Sequence, residues 1–212
     1  GLLSIVHDYS PLISGQGKPL YTVIFYMTSL FNCQPLEPVL TGSASNDQKE
    51  RLCLTSHAVA TNGRKCNAIH SGLFTSTGGR GGPPRGKQIV VATYHAPCAH
   101  WYPPSQALHF ENALTFLAKQ TVPAVLAGDM NTKPTDCAYR LVSGVRDFMF
   151  SLFEKHLNTS CSPLMEPSCL DYVFGNKFVQ PELIRVQSFC EKNSLSETQP
   201  SDHGVVVASF SM

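Results

Sequence analysis

Short apolar runs separated by turn residues dominate the sequence and predict β-strands. The runs Tyr21–Tyr26, Gln88–Tyr94 and Val122–Leu126 are rich in apolar, β-branched or aromatic residues, and turn-forming residues separate them from the next segments. Two later runs, around Asp171 and over Val205–Phe210, have the same character. Uninterrupted apolar runs of this length are typical of strands that are buried on both faces of a sheet.

Helical spacing is clearest in the segment Pro104–Gln120. Proline stands at its start, where a helix tolerates it, and apolar residues recur at helical intervals after it. A second, shorter helix is expected to end at Gly144. Many strands and few helices without strict alternation predict an α+β fold. A chain of 212 residues is long enough for one good core, so residues 1–212 are expected to form a single domain.

The segment from 61 to 87 is expected to be a loop rich in glycine and arginine. It contains the string Gly78–Gly86, in which glycine and proline exclude a regular element. Residues 51–110 contain no acid, although the net charge of the chain is only +1. Arg80 and Arg85 are therefore candidate contacts for the backbone of a nucleic acid. The alternative is a solvated connection without a binding role.

Polar residues follow the apolar run Val122–Leu126 in the string Gly128–Asn131. The carboxylate of Asp129 can bind a hard cation such as magnesium. The amide of Asn131 can hold a phosphate oxygen or a water molecule. Taken alone, the string could equally be a structural turn.

Two downstream motifs favour chemistry over a structural turn. Asp171 lies inside an apolar run, where an unpaired charge is costly. Asp202 and His203 stand side by side before the last predicted strand. A histidine titrates near neutrality, and a neighbouring acid can hold it in one tautomer.

These three motifs, in this order, resemble those of the endonuclease/exonuclease/phosphatase superfamily. The resemblance runs from about Tyr21 to the end of the chain. It implies a four-layer α/β/β/α sandwich, in which two packed sheets are flanked by helices and the active site lies at one edge. It also implies a magnesium-dependent phosphodiesterase, for which manganese could substitute.

The resemblance assigns a role to each motif residue. Asp129 and Asp202 would hold the metal ion, and Asn131 would orient the water or the phosphate. His203 would contact the phosphate and act as the base or its partner, with Asp171 as the acid that holds it. His95, in a His-Ala-Pro string after the strand Gln88–Tyr94, matches a second histidine of many members.

Within the superfamily, the string Gly128–Pro134 and the following Tyr139-Arg140-Leu141 resemble the deadenylase-type branch. That branch implies hydrolysis at RNA 3′ ends, and hence a nucleic-acid partner, most simply RNA. Two alternatives stay open. One is a binding homologue with impaired catalysis, and the other is a phosphatase acting on a small molecule or lipid. No protein partner can be inferred from the sequence.

The superfamily also has an Asn and a metal-binding Glu on strands earlier than the one matched here to Tyr21–Tyr26. No Glu precedes Glu37, so this motif is not found. Either the chain is incomplete at its N-terminus or it is a divergent member that lost part of the site. The sequence contains no run of about 18 apolar residues, so it predicts no transmembrane segment. A cytoplasmic or nuclear location is expected.

Overall fold

The computed structural model describes residues 9–13, 23–42, 45–51, 68–97, 103–133, 142–147, 159–160, 168–187 and 203–212. Within them lie the strands β1 (Tyr9–Ile13), β2 (Val23–Met27), β3 (Phe31–Pro35), β4 (Val39–Leu40), β5 (Ala68–Ser76), β6 (Gln88–Thr93), β7 (Ala124–Asp129), β8 (Val145–Asp147), β9 (Asp171–Asn176), β10 (Gln180–Gln187) and β11 (Val205–Ser211), and the helices α1 (Asn46–Arg51) and α2 (Pro103–Ala118). No helix among these is long and apolar enough to cross a membrane.

A seven-stranded main sheet forms the centre of the molecule. Its order is β3-β5-β6-β7-β9-β8, and β4 pairs with β5 beside this path. The strands β6 and β7 are parallel and are connected through α2, whereas β9 runs antiparallel to β7. Consequently β6 and β7 end, and β9 begins, at the same edge of the sheet. We call this the site edge, and the opposite end of the same strands the far edge.

The main sheet buries one face against α2 and the other against two antiparallel ribbons, β1-β2 and β10-β11. On the helix side, the rings of Phe110 and Phe174 meet edge to face with centroids 5.8 Å apart. On the ribbon side, the ring of Tyr26 contacts that of Phe74 at 5.2 Å. Apolar residues of β10 and β11, such as the buried Ile184, complete the core on this side. Alternate residues of each strand thus serve opposite faces of the sheet.

The α+β prediction is confirmed, with a main sheet, a smaller second layer of strands and few helices. The described residues show the helix layer, the main sheet and the ribbons, and both helices lie on one side, where Gln48 of α1 bonds to Asn112 of α2. The strands predicted over Tyr21–Tyr26, Gln88–Tyr94, Val122–Leu126, around Asp171 and over Val205–Phe210 are present as β2, β6, β7, β9 and β11, and the helix predicted over Pro104–Gln120 is present as α2, with bounds that differ by a few residues.

The predicted loop from 61 to 87 needs correction. Residues 68–76 form β5, the longest strand, and only 77–87 connect it to β6. Because β5 contains small and polar residues, it lacks the apolar run that would predict a buried strand. Both of its faces are nevertheless covered, so even Ser71 and Ser76 are buried. The predicted second helix falls mainly on residues outside those described.

Candidate active site

Asp129 is the last residue of β7, where the backbone is held on both sides. Ala96 N–H donates to the carbonyl of Asp129 at 2.8 Å, and Met130 N–H donates to the carbonyl of Leu170 at the same distance. Gly128 allows the segment that directly follows β6 to pass very close, because a Cβ at this position would lie 1.8 Å from the carbonyl oxygen of Tyr94. The sheet therefore fixes the position from which the carboxylate projects.

Asp171 stands directly across the sheet from Asp129, as its register partner at the start of β9. The carboxylate of Asp171 accepts a hydrogen bond from His203 Nδ1, with an Oδ2–Nδ1 distance of 2.8 Å. Because an ionised carboxylate can only accept, Nδ1 carries the proton, and in the neutral ring the lone pair is then on Nε2. The pairing thus fixes both the orientation and the tautomer of His203.

The carboxylate of Asp129 lies between two imidazoles. Its Oδ2 is 3.6 Å from Nε2 of His95 and 4.0 Å from Nε2 of His203. The side chain of Asp129 is only 14% exposed, while those of His95 and His203 are 44% and 31% exposed. The three groups therefore face one opening at the site edge.

Asn131 turns the chain at this edge with a left-handed backbone, φ 49°. Its N–H donates to Oδ1 of Asp129 at 2.8 Å, and its side-chain Nδ2 donates to the carbonyl of Ala96 at 2.8 Å. The buried Gln106 of α2 donates from Nε2 to the carbonyl of Asn131. These bonds hold a conformation that costs an ordinary residue free energy.

Burial raises the pKa of Asp129, and the nearby negative charge of Asp171 adds to this effect. The Asn131 N–H, His95 and His203 act in the opposite direction. The described side chains at this edge supply carboxylate oxygens and imidazole nitrogens, and these donor types suit a hard divalent cation. No three of the described side chains are arranged as a metal site. Asp129 is the described carboxylate that could contribute to one, because Asp171 is engaged by His203.

The structure brings five of the predicted site residues together: His95, Asp129, Asn131, Asp171 and His203. Asp202 lies outside the described residues. Arg80 and Arg85 are exposed in the loop 77–87 at the far edge. That edge is about 20 Å from the site edge, the length of a six-residue strand. The structure therefore does not bring these two arginines to the cluster.

Sequence reasoning missed two residues that support the cluster from behind. Thr159 is 1% exposed, and its Oγ1 accepts hydrogen bonds from the N–H groups of Leu170 and Asp171, both at 2.9 Å. Gln106 is 3% exposed and holds the turn at Asn131, as described above. A polar residue on the apolar stripe of α2 was a possible signal for Gln106.

The chain belongs to the Endonuclease/Exonuclease/phosphatase family, whose sequence pattern matches residues 50–203. The family comprises hydrolases that act on phosphoester bonds and generally depend on a divalent metal. The matched segment contains the whole five-residue cluster. No curated protein sequence matches the chain.

Three solved structures of different proteins illustrate the range of proteins that have this fold. TDP2 of D. rerio, complexed with a single-strand DNA product, superposes with a TM-score of 0.70 at 14% identity, covering 100% of this chain and 80% of that one. A mannosyl-6-phosphatase of Bacteroides thetaiotaomicron gives 0.65 at 19% identity, with 97% and 78% covered. The human Nocturnin catalytic domain with bound sulfate gives 0.64 at 15% identity, with 99% and 74% covered. At these identities the likeness concerns the fold.

Proposed function

We propose that the chain is a metal-dependent phosphodiesterase that hydrolyses RNA from the 3′ end. The observation that carries the proposal is the chain of contacts from Asp171 through His203 to Asp129. A half-buried acid, an oriented imidazole and a second acid at one opening are what activation of water beside a phosphate requires. The local similarity of the Gly128–Pro134 string to deadenylases supports RNA as the substrate.

Each side chain has a distinct task in this proposal. Asp171 keeps the proton on Nδ1 of His203, so that Nε2 can take a proton from the attacking water. The water oxygen forms the new bond to phosphorus while the bond to the leaving oxygen breaks. The leaving oxygen takes up a proton from solvent, and His203 returns to solvent the proton that it took from the water. His95 and Asn131 face the phosphate oxygens. Asp129, with Asp202, would hold Mg²⁺ or Mn²⁺, which would supply positive charge for the phosphate.

The experiment is cleavage of end-labelled oligoadenylate and of a mixed-sequence RNA, with and without magnesium. We expect His203→Gln and Asp171→Asn to lower kcat by about 10²- to 10⁴-fold, the usual contribution of a general base. Asp47→Asn, at an exposed carboxylate on α1, is the matched control and should retain activity. Cleavage that persists in both site variants would contradict the mechanism.

A phosphatase is the second candidate, because the mannosyl-6-phosphatase shares the fold to a similar degree. Product analysis separates the two activities, since a nuclease releases mononucleotides and a phosphatase releases inorganic phosphate. A folded chain that binds RNA but cleaves nothing, even with the metal supplied, would favour a binding homologue.

A further inference from the structure

The far edge collects segments that are distant in sequence. β6 and β7 begin there, as shown by the pairing of Val90 with Ala124, and β9 ends there, as shown by the pairing of Val125 with Gly175. Asn176 ties these segments together, because its Nδ2 donates to the carbonyl of Val122 at 2.8 Å and its Oδ1 accepts from the N–H of Ala124 at 3.2 Å.

Every one of these segments brings an exposed cation to the far edge. The loop 77–87 supplies three, the residue after α2 one, the strand β8 one and the turn after β9 one. They are Arg80, Arg85, Lys87, Lys119, Arg146 and Lys177. The described residues of the same segments carry one acid, Asp147, which follows Arg146 on β8, against these six cations. Positive charge is thus concentrated opposite the acidic site edge.

The spacing of the strands makes these charges act together. Lys87 and Lys177 continue strands that are separated only by β7, hence about 10 Å apart across the sheet. This separation is comparable to the Debye length of about 8 Å at physiological ionic strength, so the potentials of neighbouring cations overlap. A bound polyanion would relieve their mutual repulsion.

The loop that carries half of the cations is anchored to the body of the molecule. Thr77 donates from its N–H to the carbonyl of Leu30 at 2.9 Å and from Oγ1 to the carbonyl of Ser29 at 2.8 Å. Gly79 packs so closely that a Cβ would lie 2.6 Å from the Ser29 carbonyl oxygen. The anchored loop presents Arg80 and Arg85 at little further entropic cost.

An exposed aromatic ring lies within this cationic surface. Phe178 is 41% exposed, and Nζ of Lys177 stands 5.0 Å from the centre of its ring. Cations that track a phosphate backbone, together with an aromatic face on which a base can stack, are the elements of single-strand binding sites.

We propose that the far edge is a second binding surface, specific for single-stranded nucleic acid and separate from the catalytic cluster. The proposal does not require that the cluster cleave nucleic acid. If it does, a strand engaged at both edges must span about 20 Å around the molecule. Long substrates would then be retained between cleavage events, whereas dinucleotides would gain nothing.

The test is fluorescence anisotropy with a labelled 20-nucleotide single-stranded RNA of mixed sequence, in EDTA and in the His203→Gln background. We expect Lys87→Glu/Lys177→Glu to weaken binding at least tenfold. The slope of log affinity against log salt should become shallower by about 1.4, since each cation lost contributes about 0.7 for single strands. Lys49→Glu/Arg185→Glu, a double charge reversal elsewhere, should stay within twofold of the parent.

The stacking contact is tested by Phe178→Ala, with the exposed Phe25→Ala on β2 as its matched control. Only the former should weaken binding. Equal losses in both double variants, or none in the far-edge variant, would refute the proposal. So would loss of phosphatidylserine-vesicle binding with unchanged RNA binding, which would make the surface a membrane contact. Absence of cleavage by the wild-type chain would overturn the proposed function and leave this measurement unaffected.

Discussion

At the scale of single residues, Thr159 links the two halves of the acid–histidine pair. Its hydroxyl oxygen accepts hydrogen bonds from the N–H groups of Leu170 and Asp171. Its carbonyl oxygen accepts a hydrogen bond from the N–H of Gly204 at 2.7 Å. Gly204 follows His203 directly. One buried residue therefore positions the start of β9 and the segment before β11 relative to each other.

We predict that Thr159→Val lowers kcat by about ten- to a hundredfold, because a misplacement of about 1 Å has effects of this size. Valine keeps the shape but leaves two buried N–H groups without their acceptor. Thr159→Ser, which restores the hydroxyl, should recover most of the activity. The loss in the valine variant should fall on kcat and leave KM nearly unchanged, because the misplaced pair Asp171 and His203 serves the chemical step. A lower melting temperature with an unchanged kcat would leave Thr159 a purely structural role.

Most residues of the cluster could be predicted from sequence, whereas their supports could not. His95, Asp129, Asn131 and Asp171 stand at the ends of apolar strands, where a polar residue is a local signal. The side chains of Thr159 and Gln106 form their hydrogen bonds with backbone groups at least 11 positions away along the chain. Such contacts depend on the strand register, which one sequence does not encode locally.

At the scale of elements, the close approach of β7 to the strand before it depends on Gly128. Its φ of 151° and the 1.8 Å Cβ clash both oppose any side chain. The clash is with a backbone carbonyl of Tyr94, so no rotamer can relieve it. The bonds from Tyr94 N–H to Ala127 and from Ala96 N–H to Asp129 would have to open instead.

We predict that Gly128→Ala lowers the free energy of unfolding by about 4 kcal/mol or more, the range reserved for severe backbone conflicts. Gly86→Ala is the matched control. It also has a positive φ, 85°, but nothing lies within 4 Å of its Cβ position, so only about 1–2 kcal/mol is expected. Urea unfolding of both variants measures the difference. Equal losses of unfolding free energy in the two variants would mean that β7 and the segment after β6 can move apart at no energetic cost.

The elements that sequence predicted well are those with uniform apolar runs, namely β6, β7 and β9. β5 was not predicted as a strand because its serines, glycine and histidine are typical of a loop. In the structure, its backbone groups form hydrogen bonds with β3 and β6. Burial by neighbouring strands, and not local propensity, decides such a segment.

At the scale of the whole molecule, the sequence showed a basic stretch but not its extent. Lys119, Arg146 and Lys177 lie outside residues 51–110 and join Arg80 and Arg85 only through the sheet topology. The fold separates positive charge at the far edge from carboxylates at the site edge. Segregation of this kind is a property of the folded state and steers polyanions towards one side of the molecule.

Global stability should depend on pH through His109, which is fully buried on α2. Its Nδ1 contacts Oγ1 of Thr41 at 2.6 Å and the hydroxyl of Tyr94 at 3.1 Å, while Nε2 has no partner among the described residues. Burial lowers the pKa of His109 to about 4. Protonation would place a charge in the core and leave the new N–H without an acceptor.

Since the pKa is about 6.5 in the unfolded chain, the unfolded state binds the extra proton first as the pH falls. The contribution of neutral His109 is complete above pH 6.5 and is lost progressively down to about pH 4, by about 3 kcal/mol in all. His109→Gln keeps a polar side chain that does not titrate, so its unfolding free energy should vary less between pH 6.5 and 4. Parallel urea titrations of both proteins measure this, with His70→Gln as a control for a half-buried histidine on β5. Identical pH profiles for the wild type and His109→Gln would mean that the buried imidazole is protonated in the folded protein, through a rearrangement that supplies Nε2 with an acceptor.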